Sequence, residues 1–128
     1  MLLKRFLGLV LLASLTVGLT GCRPSPGGTV RGFFLDLEQG EINDATDTLA
    51  NTDSDDYLGS KIKMGLQEAP AAIEEKGGIR NIEILDETVN GDLATVSYRI
   101  NFKDDSVEEG TMELIKEEDG WKINPMSK

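Results

Sequence analysis

One cysteine, Cys22, stands in a chain of 128 residues that has no histidine. Without histidine the commonest general base and zinc ligand are missing, and a lone cysteine allows no intrachain disulfide. Acid–base work would therefore fall to carboxylates, which need partial burial to be tuned for catalysis. The strand positions that alternation turns inward are apolar, so no catalytic residue, no enzymatic activity and no cofactor are expected. The loop containing Asn51, Asp53 and Asp55 has the alternate spacing of calcium ligands, but Asp56 replaces the required glycine and Ile62 the bidentate glutamate. A solvated loop is expected there, and no metal site. What remains is the Cys22 thiolate, a nucleophile open to alkylation.

The residues ahead of Cys22 say where that alkylation would happen. Lys4 and Arg5 precede an apolar run from Phe6 to Val17, the charged and hydrophobic regions of an export signal. The run is too short to span a bilayer, which takes about 20 apolar residues. Leu19, Thr20 and Gly21 then lead into Cys22, and the whole resembles a bacterial lipoprotein signal with its lipobox. The resemblance implies cleavage before Cys22, a diacylglyceryl thioether on its sulfur and an acyl group such as palmitate on the new amino terminus. Arg23 lacks the aspartate that favours inner-membrane retention, which implies the periplasmic side of the outer membrane in a cell with two membranes. Removing residues 1–21 leaves 107 residues with 11 basic and 23 acidic side chains, a balance of −12. Such a charge argues against nucleic-acid partners, which need clustered Lys and Arg.

Residues 22–28 carry the lipidated cysteine and, in "RPSPGG", the composition of a flexible linker. From residue 29 to 128 the pattern is that of one domain. Thr29 is a plausible N-cap for a helix with Val30, Phe33, Phe34 and Leu37 on one face, ended by Gly40. Ile42, Ala45, Thr46 and Leu49 predict a second helix, and Tyr57, Leu58, Ile62 and Leu66 a third that Pro70 breaks or restarts. After Gly77 and Gly78 the period becomes two. Strands are predicted over 79–85, 93–102, 111–115 and 121–123, with Ala94, Val96, Tyr98, Ile100 and Phe102 sharing a face. Asn90-Gly91, Asp104-Asp105 and Asp119-Gly120 supply turn residues, so the strands form an antiparallel meander.

The fold class is thus α+β, N-terminal helices packed on a curved, roughly four-stranded sheet. "VRGFFLDLEQGEINDA" and the closing "EEDGWKI" carry a resemblance to small bacterial envelope domains of unassigned function in the nuclear-transport-factor-2-like superfamily, also called cystatin-like, with relatives described as lumazine-binding-like. The resemblance implies a cone between the first helix and the bent sheet, which in some members holds a ligand. Phe33, Phe34, Tyr98, Met112 and Trp121 either line such a pocket or fill the core. The expected function is a non-catalytic accessory or interaction module on a membrane, with a carrier or sensor of a small apolar or aromatic ligand as the alternative. Expected partners are the membrane, through lipid on Cys22, and an envelope protein or such a ligand. The polar outward strand face, with Thr95, Ser97, Arg99 and Asn101, fits a monomer or weak dimer.

Overall fold

Ser25 opens the first helix, α1 (Pro26–Gln39), by accepting a hydrogen bond from the Gly28 amide through its hydroxyl at 3.0 Å. A computed structural model describes residues 25–51 and 56–125 of the chain; Leu19, Thr20, Gly21 and Cys22 lie outside the described residues, as do Asp53 and Asp55. The expected linker and cap are corrected here: Pro26, Gly27 and Gly28 form the first turn of α1, and Thr29 is a buried residue within it. Proline at the first helical position has no N–H to leave unpaired and its φ is already helical. The Gly27 amide donates to Glu87 from 60 residues away, at 2.6 Å. A Cβ on Gly27 would lie 2.7 Å from that carboxylate oxygen and 3.2 Å from the Ile84 side chain, so a larger residue there would have to displace Glu87. A tertiary contact thus orders a Gly-Gly pair whose local preference is disorder.

Two further side chains of α1 hold it against the sheet's free first edge. Arg31 donates to the Ile82 carbonyl at 3.2 Å, and Glu38 accepts from the Ile79 amide at 2.7 Å. Seven positions apart, the two lie on one side of the helix. Near its end Asp36 is partly buried. Burial first, then repulsion from Asp44 and Glu41, raises its carboxyl above the usual carboxylate range. A carboxyl whose folded pKa exceeds its unfolded one costs stability above the folded value and nothing below the unfolded value. Asp36→Asn is therefore expected to raise the urea midpoint at neutral pH and to leave it unchanged below about pH 3. Equal gains at both pH values would remove the electrostatic explanation.

Helices α2 (Ile42–Asp47), α3 (Tyr57–Leu66) and α4 (Ala69–Glu75) follow. Asp56 caps α3 by accepting from the Gly59 amide at 2.6 Å, and Pro70 restarts the chain in the first turn of α4. The sheet has the order β1 (Ile79–Asn90), β2 (Leu93–Phe102), β3 (Val107–Glu117) and β4 (Gly120–Ile123), antiparallel throughout. β1 and β3 run longer than their apolar alternation predicts, because pairing with β2 sustains their polar ends. Asn90 pairs with Leu93 and Glu117 with Gly120, so the linking residues are Gly91-Asp92 and Glu118-Asp119, one place from the expected turns. The segment after α2 adds a parallel bridge: the Ala50 amide donates to the Ile123 carbonyl, and the Ile123 amide to that of Thr48.

The core lies between α1 and one sheet face, with Val30, Val96, Ile100 and Leu114 at its centre. The opposite face is a polar ladder. Arg99 reaches Glu109 at 2.6 Å and Glu83 at 3.4 Å, Asn101 donates to Asn81 and Glu83, and Ser97 meets Thr111. Cross-strand pairs of this kind fix the register that keeps the alternating apolar residues inside.

Candidate functional site: an apolar cleft beside Tyr98

Neighbouring positions on α1, Phe33 and Phe34 meet edge to face with centroids 5.4 Å apart, and the second of them meets Tyr98 of β2 at 5.0 Å. Tyr98 stands directly opposite Gly110 of β3. A Cβ on Gly110 would be 2.5 Å from the Tyr98 hydroxyl oxygen and 2.8 Å from Cζ, so the phenol lies across the strand where a side chain would otherwise be. Gly110→Ala is expected to displace the ring at a cost of about 1–3 kcal/mol, the range of core overpacking. Combining it with Tyr98→Ala should remove the clash. Unfolding curves of the two single variants and the double variant would show this as strong non-additivity, and simple additivity would refute the contact.

Beside Tyr98 opens a cleft of about 510 Å³. Phe33, Tyr98 and Met112 line it from helix and sheet, and Leu58 and Ile62 of α3 from across. Asn51, Thr111 and Asn124 contribute polar groups, and among the described residues no carboxylate, lysine or arginine lines it. Burial first, then the charge of Glu108, raises the Tyr98 phenol above its usual pKa of 10.0, so it stays protonated and can donate a hydrogen bond throughout the physiological range. The cleft therefore combines apolar walls with a few fixed donors and acceptors, the usual make-up of a small-molecule site, and its volume falls in that range. A separate cavity of about 180 Å³ lies beside Phe34, bounded by Lys76 and Glu108 among apolar residues.

Of the five residues expected around a pocket, the structure brings Phe33, Tyr98 and Met112 to the large cleft and Phe34 to the smaller cavity; Trp121 lines neither. Trp121 pairs with Lys116 near the last hairpin, partly buried, with the ammonium 5.9 Å from its ring centroid. It flanks the core. Trp121→Ala is expected to cost about 2 kcal/mol, less than the roughly 3–5 of a fully buried aromatic. Calorimetry of the variant checks the first figure, and a cost near zero would detach Trp121 from the core. Leu49, Leu58, Ile62 and Asn124 were not expected at the site. The spacing of Leu58 and Ile62 showed an apolar helix face, but nothing local showed that it looks across at Tyr98.

Residues 20–124 match the family described as a domain of unknown function, DUF4878. The chain belongs to that family. No curated protein matches the sequence. Solved structures do match. A Campylobacter jejuni protein provisionally named an NTF2-like transpeptidase superposes with a TM-score of 0.68 at 23% identity, over 78% of this chain and 97% of the other. A Thiobacillus denitrificans protein provisionally named a calcium/calmodulin-dependent protein kinase type II association domain gives 0.55 at 18% identity, over 79% of this chain and 90% of the other. At these identities the likeness concerns the fold, and this DUF4878 chain has the α+β, nuclear-transport-factor-2-like architecture.

Proposed function

We propose that this chain is a non-catalytic lipoprotein of the bacterial envelope whose cleft beside Tyr98 carries or senses a small, uncharged apolar or aromatic molecule. The open cleft of about 510 Å³ carries the reading. Its described lining supplies no ionic partner, and an ion taken out of water without one meets a heavy desolvation cost. A flat neutral ligand would bury its faces against Phe33 and Met112 and accept a hydrogen bond from the Tyr98 hydroxyl. The accessory-module reading is kept within this one, since a sensor acts through a partner.

The lipid anchor rests on Leu19, Thr20, Gly21 and Cys22 and on the run before them. Because α1 is capped at Ser25, the chain from Cys22 to the domain can extend only about 10 Å. The start of α1 and the Glu87 region would then lie against the membrane. Arg23 points to the periplasmic side of the outer membrane where the cell has two membranes.

Native mass spectrometry of the full chain, extracted gently from its own envelope, tests the carrier reading. A reproducible small-molecule adduct is expected, reduced about tenfold in occupancy-weighted affinity by Tyr98→Ala through lost stacking and hydrogen bonding. A chain without an adduct, or one whose adduct ignores Tyr98→Ala, would overturn it.

A further inference from the structure

The two free edges of the sheet are treated differently. Along β1, Arg31 and Glu38 of α1 occupy the backbone carbonyl of Ile82 and the amide of Ile79. Along β3, the pairing with β4 covers only Leu114 to Glu117, with one more bond from the Asn124 amide to the Glu113 carbonyl. Between Val107 and Met112 no described segment pairs with that side of β3.

The direction of the free groups follows from the register. The Phe102 amide donates to the Ser106 carbonyl, which makes this the first bonded pair of the β2–β3 ladder. In an antiparallel ladder bonded and non-bonded pairs alternate. Residues 108, 110 and 112 therefore turn their backbone groups toward β2, and Val107, Glu109 and Thr111 turn theirs outward. The Glu113 carbonyl, bonded on the β4 side, obeys the same alternation. All three outward residues are exposed, and an exposed row of such groups is a template for another strand.

The side chains specify the occupant. Glu108, Glu109 and Glu113 lie on or beside this stretch, and only Glu109 forms an ion pair with a described residue, Arg99. A second copy would bring the same glutamates together across the edge, with a formal charge of −10 on each chain. Like charges directly opposite destabilise a strand pair. A basic segment is attracted instead. On the inner face Glu108 is followed four residues later by Met112, which borders the apolar cleft. The matching strand carries Lys or Arg and an apolar residue four apart on one face.

We propose that the edge of β3 from Val107 to Glu113 docks an extended, basic and apolar segment of a partner protein as an added strand. Main-chain bonds to Glu109 and Thr111 give the affinity, and Glu108 with Met112 sets the preference. This surface borders the small-molecule cleft and shares Thr111 and Met112 with it, but it depends on backbone groups and not on the Tyr98 hydroxyl.

The test uses the full chain in mild detergent and a fluorescent peptide, Lys-Thr-Val-Thr-Leu-Thr, by anisotropy and amide hydrogen exchange. Binding is expected, with slowed exchange at the Val107, Glu109 and Thr111 amides. Replacing the peptide's Lys by Glu, or methylating its alternate amide nitrogens, should each weaken binding about tenfold. Glu108→Lys with Glu113→Lys, both exposed positions, should invert the preference between the Lys and Glu peptides, while Leu35→Ala, exposed on α1, leaves it alone. Equal binding of the methylated peptide, unchanged exchange at those three amides, or a homodimer that protects them without peptide would each overturn the proposal.

Discussion

Phe33→Ala is expected to remove about 3–5 kcal/mol of folding stability. Phe33 is 6% exposed and sits where α1 crosses the sheet, in edge contact with Phe34 and against the wall of the large cleft. Truncation removes the ring's buried apolar area and joins the cleft to the core, so the surrounding side chains cannot close over the loss. Domains of this size are stable by about 5–15 kcal/mol, so the change consumes a large fraction of the total. Each kcal/mol corresponds to about 4–8 °C in Tm for a domain near 100 residues, which predicts a fall of at least about 12 °C. Leu35→Ala, at a position 41% exposed on the outer side of the same helix, is the control and should be nearly silent. Urea and thermal unfolding of both variants decide the matter. A Phe33→Ala cost below about 1 kcal/mol would mean that the cleft is loosely packed and that Phe33 adds little to the core.

On the proposal that Cys22 is lipidated, Cys22→Ser is expected to abolish completely the diacylglyceryl modification at residue 22. Each buried methylene contributes about 0.8 kcal/mol, so a single chain holds marginally and two or three hold stably. A serine hydroxyl cannot take the thioether-linked diacylglycerol. Nothing else in the chain would compensate electrostatically, since the balance of −12 after residue 21 repels anionic headgroups. No helix among the described residues is long and apolar enough to cross a membrane. Fractionation with carbonate washing, together with the mass of the amino-terminal peptide, checks the outcome. A diacylglyceryl mass on the amino-terminal peptide of the serine variant, or none on that of the original chain, would sink the lipoprotein reading, whatever the cleft binds.

Much of the fold was legible because its signals are local. Val30, Phe33 and Leu37 keep helical spacing and are buried in α1; Ala94, Val96, Ile100 and Phe102 alternate and are buried in β2. The start of α1 was not legible, because Pro26–Gly28 become helical through a carboxylate, Glu87, far along the chain. Trp121 shares size and polarity with the pocket residues, yet β4 is short and places it beside the last hairpin, against the edge of the core. The identities of Tyr98 and Gly110 were plain, but their meaning depended on register: one residue of slip would set Tyr98 against a side chain and close its place across β3.

The order of elements, the apolar faces, the absence of histidine and the lone cysteine were determined by the amino-acid sequence alone, since periodicity and composition are properties of neighbouring residues. Only the tertiary structure decided which faces look at one another, how far β4 covers β3 and where a cleft stays open. Those depend on strand register and on contacts between segments tens of residues apart, for which a single chain carries no local signal.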